Sequence, residues 1–296
     1  MSIEQPDLLT RHARLAQTLS PEWTIDGDVF SLNLGGATVE MVAENGLDHV
    51  VQPDAWISRT HKGQTVHEPG LVVWMLVLAE HLADKKIRFV DAGSLFGYFS
   101  FMADRLFPNC STVAVEANPE SAGYIERTIQ RFNYDRVSVA QCLLSDRAQS
   151  DEVRYVDGFV FERGPAGNGE SPMSTGAQRK QVVVNERQLQ EFIDVSGESL
   201  NVVKVDAEGH QAEFLPPATQ ALIDTRSIML MEFDLDEQMA TFNSSNAELS
   251  QPFLDNDYSM YWGVHRNLDR PFQTEVEVRP EMDRNSLAVL MPNELT

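Results

Sequence analysis

Ile87-Arg88-Phe89-Val90-Asp91-Ala92-Gly93-Ser94-Leu95-Phe96-Gly97 is a short apolar run that ends in an acid and breaks into a glycine turn. A run of this length bounded by turn signals suits a strand buried on both faces of a parallel sheet. Gly93 and Gly97 let the chain turn tightly into a helix that runs to about residue 107. The alternation continues downstream. Residues 112–116 read as a second strand, 119–132 as a helix and 137–144 as a third strand. A helix around 186–193 precedes a fourth strand at 201–206, and a helix over 210–222 leads to a fifth at 227–233. Strands and helices alternating at this spacing predict an α/β fold with a doubly wound, mostly parallel Rossmann-like sheet. Strand-like pieces at 261–264, 275–278 and 288–291 are expected to add antiparallel strands at its edge.

Upstream, Glu68-Pro69-Gly70 opens a helix to about residue 84, whose Leu71, Trp74, Leu76, Leu78 and Leu82 suit core packing. Before it the pattern differs. Asp7 can cap a short helix carrying Leu8, Leu15 and Leu19, stopped by Ser20-Pro21. Phe30, Leu32 and Leu34 alternate with polar residues, Gly35-Gly36 turns the chain, and Val39, Met41 and Ala43 alternate again, as in a β-hairpin. Residues 1–60 are therefore expected as an N-terminal arm of helix plus β-hairpin, and 61–296 as the main domain. Residues 157–178, rich in Gly, Pro and Ser, read as a long irregular loop.

Charge narrows the function. The chain of 296 residues carries 23 Lys+Arg against 45 Asp+Glu, a net charge of −22. A nucleic-acid binder needs a basic footprint, and an anionic membrane repels such a protein, so neither partner is expected. A neutral or cationic small molecule is compatible with the field. The longest apolar run, residues 71–79, is too short for a bilayer, which needs about 20 residues. Met1 to Asp7 has neither a basic nor an apolar signal region. Two cysteines, Cys110 and Cys142, are too few for a disulfide framework and fit buried thiols in a reducing cytoplasm. A homo-oligomer stays open.

The turn has the spacing Asp-x-Gly-x-x-x-Gly, through Asp91, Gly93 and Gly97, with Ser94 inside it. The Gly-x-Gly-x-x-Gly turn that cradles a pyrophosphate is missing, which disfavours a nicotinamide oxidoreductase. An acid at the strand end suits a cofactor end bearing an amine and no phosphate, the character of S-adenosylmethionine. Glu116 ends the second strand, 23 residues after Gly93, where an acid can accept hydrogen bonds from both ribose hydroxyls. Asn118 stands beside it. After the fourth strand, Asp206, Glu208 and His210 alternate at the carboxyl end of the sheet.

With these segments in order, the chain resembles the FkbM family of S-adenosylmethionine-dependent methyltransferases. The residues that carry the resemblance are His67-Glu68-Pro69, the run from Phe89 through Gly97 to Ser100, and Val115-Glu116-Ala117-Asn118-Pro119. Leu143-Leu144-Ser145-Asp146, Leu189-Gln190-Glu191-Phe192-Ile193 and Lys204-Val205-Asp206-Ala207-Glu208-Gly209 complete it. Leu95 stands where the family usually has Asn, and Gln211 where it usually has an acid. The resemblance implies methyl transfer to an oxygen of a small molecule, often a sugar or secondary metabolite. It implies Asp91, Gly93 and Gly97 at the methionine end of the cofactor, Glu116 on the ribose and Ser145 with Asp146 near the adenine. Asp206 and Glu208 would face the methyl-transfer centre.

A hydroxyl acceptor also needs its proton removed, and His210 or Glu208 is the expected base. Glu232 and Asp234 end the fifth strand as potential substrate contacts. Magnesium could use Asp206, Glu208 and Glu232, but paired carboxylates arise for many other reasons, so no metal ligand is assigned. His61 and His67 form no regular zinc spacing. Acceptor specificity is expected in the arm, residues 157–178 and the region from Tyr261 to His265. A binding module of the same fold without turnover is the alternative to an enzyme.

Overall fold

The structure is a computed structural model that describes residues 7–43, 57, 66–146, 153–156, 160–163, 182–268, 271–275 and 285–296. Helix α1 (Leu8–Thr18) starts at Asp7, whose carboxylate accepts from the Thr10 N–H at 2.8 Å. Strands β1 (Glu22–Asp26), β2 (Val29–Asn33) and β3 (Thr38–Val42) then form a three-stranded antiparallel sheet. The hairpin expected over 30–43 is β2–β3. β1 carries no apolar alternation because most of its side chains are exposed.

Helix α2 (Pro69–His81) leads to β4 (Ile87–Ala92), α3 (Tyr98–Leu106), β5 (Cys110–Glu116), α4 (Pro119–Phe132) and β6 (Val137–Gln141). The third strand expected over 137–144 breaks here. The Cys142 N–H turns to the Glu116 carbonyl at 3.2 Å, and β7 (Leu143–Leu144) leaves the main sheet. Next come β8 (Val153–Val156), β9 (Val160–Arg163), β10 (Val182–Val184) and β11 (Glu186–Arg187), which pairs in parallel with β7. β9 pairs with β8, so the segment expected as irregular over 157–178 contains a strand; residues 157–159 and 164–178 lie outside the described residues. The helix expected over 186–193 is β11 followed by one 3-10 turn, Leu189–Glu191, closed by a capping box between Gln188 and Glu191.

The chain continues through β12 (Leu200–Val205), α5 (Gln211–Asp224), β13 (Ile228–Phe233), α6 (Asp236–Thr241) and α7 (Asn246–Leu254). It ends in β14 (Tyr258–Gly263), β15 (Gln273–Glu275) and β16 (Ser286–Pro292). The main sheet has the order β15-β14-β16-β13-β12-β4-β5-β6. β13, β12, β4, β5 and β6 pair in parallel; β16, β14 and β15 add the expected antiparallel edge.

The central strands alternate between two cores. Phe89, Val202, Ile228 and Leu230 enter one cluster, Val90, Val203, Met229 and Met231 the other. Period-two alternation of apolar residues into both faces is why these strands read as continuous hydrophobic runs. Phe30, Leu32, Val39 and Met41 of the N-terminal sheet lie in the first cluster, with Trp74 and Tyr124. Cys110 and Cys142 are buried and free. Among the described residues no helix is long and apolar enough to cross a membrane.

Candidate functional site

Strand order reverses between β4 and β12: β5 and β6 lie to one side, β13 to the other. In an open α/β sheet ligands sit in the crevice at the carboxyl ends of the strands at such a switch point. The chain leaves these strands through Asp91, Glu116, Asp206, Glu232 and Asp234, so the acids converge there by topology.

The turn after β4 is held by its own backbone. The N–H groups of Gly93 and Ser94 both donate to the Val115 carbonyl at 3.1 Å, and that of Gly97 donates to the Ser94 carbonyl at 2.7 Å. The Leu95 N–H donates to Glu116 Oε2 at 2.7 Å, and the Asn118 N–H to Oε1 at 2.8 Å. Glu116 thus ties the turn to the start of α4, where Asn118 caps the helix by accepting from the Glu120 N–H at 2.9 Å. Each carboxylate oxygen keeps a second lone pair. Burial pushes the Glu116 carboxyl up to about 7, against those two N–H groups. Gly93 has φ 79°, and a Cβ there would lie 1.9 Å from the Asp206 carbonyl oxygen, so only glycine lets the ends of β4 and β12 meet. Leu95 holds φ 48°, a left-handed conformation that Asn adopts more readily than Leu.

Lys204 sits under this crevice, 3% exposed. Its ammonium lies 3.2 Å from Asp91 Oδ1, 3.5 Å from Asp206 Oδ2 and 5.3 Å from the centre of the Phe99 ring. Asp91 is fully buried and also accepts from the Ser100 hydroxyl at 2.7 Å. Burial alone would lower the Lys204 pKa; Asp91 and Asp206 carry it above the usual lysine range. The cation that Asp91 faces therefore comes from β12 of the same chain.

Next to Lys204, a small cavity is lined by Glu68, Asp206, Glu232 and His265. His265 Nε2 lies 3.3 Å from Glu68 Oε1 and 3.5 Å from Glu232 Oε1. Glu232 also accepts from Arg266 Nη2 at 3.1 Å and Asn285 Nδ2 at 3.0 Å. Burial would raise the Glu68 carboxyl, but His67 and His265 hold it well below the ordinary range. Burial, then nearby Asp206, pushes Glu232 well above it.

The other end of the β12 turn is anchored to Asp234, which accepts from the Gly209 N–H at 2.8 Å and from Gln211 Nε2 at 2.5 Å. Burial raises Asp234 to about 7, against the Gln211 bond. An acid at 211 would set a second carboxyl against it; the amide donates instead. Glu208, in a left-handed conformation at φ 52°, stands at the rim and accepts from Gln238 Nε2 at 3.1 Å. Desolvation, then Asp206, raises its pKa.

The structure thus gathers Asp91, Gly93, Ser94, Gly97, Glu116, Asn118, Asp206 and Glu208 around the switch point. His210 goes elsewhere: its Nε2 donates to the Leu144 carbonyl at 2.9 Å, and its ring packs near Phe214 and Phe242. That places it by the segment after β7, where the buried Ser145 hydroxyl donates to Asp146 Oδ1 at 3.2 Å. The sequence assigns no site role to Lys204 or Glu68, and places His265 only at the end of the region expected to set acceptor specificity. The signal for Lys204 was a lysine inside an otherwise apolar strand. His61 lies outside the described residues.

Residues 91–260, more than half of the chain, match the model of the methyltransferase FkbM domain. No curated protein matches significantly. Among solved structures, the methyltransferase FkbM from Methylobacillus flagellatus is 11% identical with TM-score 0.40, over 79% of this chain and 57% of that one. Precorrin-6y C5,15-methyltransferase from Geobacter metallireducens is 12% identical with TM-score 0.38, over 74% and 88%. The human methyltransferase 10 domain containing protein is 9% identical with TM-score 0.41, over 86% and 90%.

Proposed function

This chain belongs to the FkbM methyltransferase family, and we propose that it transfers a methyl group from S-adenosylmethionine to a hydroxyl oxygen of a small-molecule acceptor. The observation that carries the choice of cofactor is the closed hydrogen bonding of the turn after β4. The N–H groups of Gly93, Ser94, Leu95 and Gly97 are all donated within the protein. A dinucleotide site presents such groups to a pyrophosphate. This turn offers instead a carboxylate, Glu116, whose remaining lone pairs suit ribose hydroxyls. Acidic groups around the crevice favour a cationic ligand.

When bound, the cofactor supplies an activated methyl group on a sulfonium. The protein has then to align the acceptor, exclude water and take up its proton. Asp206 is oriented by Lys204, and Glu208 stands beside it with a raised pKa. A carboxylate so tuned holds a proton closer to neutral pH. Glu208 is better placed for this than His210, whose Nε2 is spent on the Leu144 carbonyl. The charge of −22 supports a small acceptor over a nucleic acid.

The test is a set of hydroxylated acceptors incubated with S-adenosylmethionine and read by a mass gain of one methyl group, with calorimetry of S-adenosylmethionine and NADH alongside. Glu208→Gln should lower turnover by roughly 10²-fold or more, the general-base range, and leave cofactor affinity within about twofold. Wild-type turnover in Glu208→Gln would remove Glu208 as the base. Binding of NADH in place of S-adenosylmethionine would overturn the whole reading.

A further inference from the structure

The geometry points to a divalent-cation site formed by Glu68, Glu232 and His265. The three come from separate parts of the chain: the residue before α2, the end of β13 and the segment after β14. One ligand atom from each lies within 4.8 Å of the others, and all three residues are buried. His265 is 1% exposed, and neither ring nitrogen has a hydrogen-bond partner. A buried imidazole left so is costly unless something else satisfies it.

The spacing says what that is. The Nε2 distances of 3.3 and 3.5 Å to the two carboxylates exceed an ordinary hydrogen bond. One imidazole proton can serve only one of them. Ligand atoms about 2.1 Å from a common ion stand roughly 3.0–3.5 Å from each other, and these two distances fall in that interval. The neighbouring ammonium of Lys204 does not fill the role, because it is paired with Asp91 and Asp206. Glu232 also carries the hydrogen bonds from Arg266 and Asn285 that hold a ligating carboxylate in place.

Two carboxylate oxygens and one imidazole nitrogen suit manganese, iron or zinc in the divalent state better than calcium or a soft monovalent metal. Three protein donors leave coordination positions open toward the cavity shared with Asp206. The site differs from the Asp206, Glu208 and Glu232 set weighed from sequence. Its test is independent of methyl transfer, since Mn²⁺ binding is read without cofactor or acceptor.

The experiment uses the full chain, freed of metal by chelation and titrated with Mn²⁺ at about 0.15 M salt to screen the acidic surface. Free Mn²⁺ is followed by electron paramagnetic resonance. One saturable equivalent is expected, weakened roughly tenfold or more in Glu68→Gln and in His265→Asn. Glu198→Gln, an exposed surface acid, should titrate like the wild type. Circular dichroism checks each variant's fold; if His265→Asn does not fold, Glu232→Gln takes its place. No saturable binding, or binding that Glu68→Gln leaves unchanged, overturns the site.

Discussion

Lys204 organises the centre. A buried ammonium is tolerable because two carboxylates face it, and Asp91 because Lys204 and the Ser100 hydroxyl do. Lys204→Met should therefore destabilise the protein by about 3–5 kcal/mol in urea unfolding, since it strands a buried carboxylate. The double variant Asp91→Asn with Lys204→Met should recover part of that loss. A Lys204→Met protein as stable as the wild type would mean that Asp91 is not ionised. Gly93 makes a separate steric prediction. With a Cβ 1.9 Å from the Asp206 carbonyl, Gly93→Ala should cost roughly 3 kcal/mol or more and part the ends of β4 and β12. At this scale the position of Glu116 at the end of β5 is legible, because an acid closing an apolar run marks the strand end. The pairing of Asp91 with Lys204, its register partner on β12, is not legible, because pairing between strands is not written in either segment. That Glu68 meets His265 is illegible for the same reason, since the two come from distant segments.

Strands whose apolar runs fill both cores are readable, and elements without a clear apolar period are not, even where they bury residues, as α7 does with Leu249 and Phe253. β4, β5, β12 and β13 carry runs that fill two cores, and their expected bounds fall within two residues of those observed. β1 is mostly exposed and carries no such pattern. The single turn at Leu189–Glu191 imitates a helix in sequence because a capping box and the apolar Leu189, Phe192 and Ile193 suffice for either. α6 and α7 fell in a stretch of mixed polarity and were not expected. The N-terminal sheet shows how an element is fastened. The Tyr134 hydroxyl accepts from the Glu40 N–H at 2.9 Å and donates to its carbonyl at 3.0 Å, and the Val42 N–H donates to Thr128 Oγ1 at 3.3 Å. Tyr134→Phe removes both Tyr134 bonds and leaves the Glu40 amide without that partner. A loss of about 1–2 kcal/mol is expected, with faster amide exchange in β3 than in β4. Equal acceleration in both strands would show that the two sheets open as one unit.

For the whole molecule, buried titratable groups and net charge together set the pH dependence of stability. Glu116 and Asp234 are held near 7, above the range of an unfolded carboxylate, so the folded state keeps protons that the unfolded state releases. Their contribution to stability falls as pH rises from about 4 through 7. His12, lowered to about 4 by burial, and His67, lowered for the same reason, act the other way, losing stability as pH drops below the imidazole range near 6.5. Below about pH 6.5 the two groups oppose each other and the curve should be nearly flat. Above it only the acids and the self-repulsion of a −22 chain remain, and both destabilise. The melting temperature should therefore fall between pH 6.5 and 8 by about 2–4 °C, which corresponds to on the order of 1 kcal/mol. Salt separates the two causes. At 1 M ionic strength the Debye length is about 3 Å, which suppresses repulsion between exposed charges and barely touches buried ones. A fall that persists in 1 M salt and shrinks in Glu116→Gln with Asp234→Asn belongs to the buried acids of the site. A fall that salt abolishes belongs to the surface, and would mean that those two carboxyls titrate in the ordinary range.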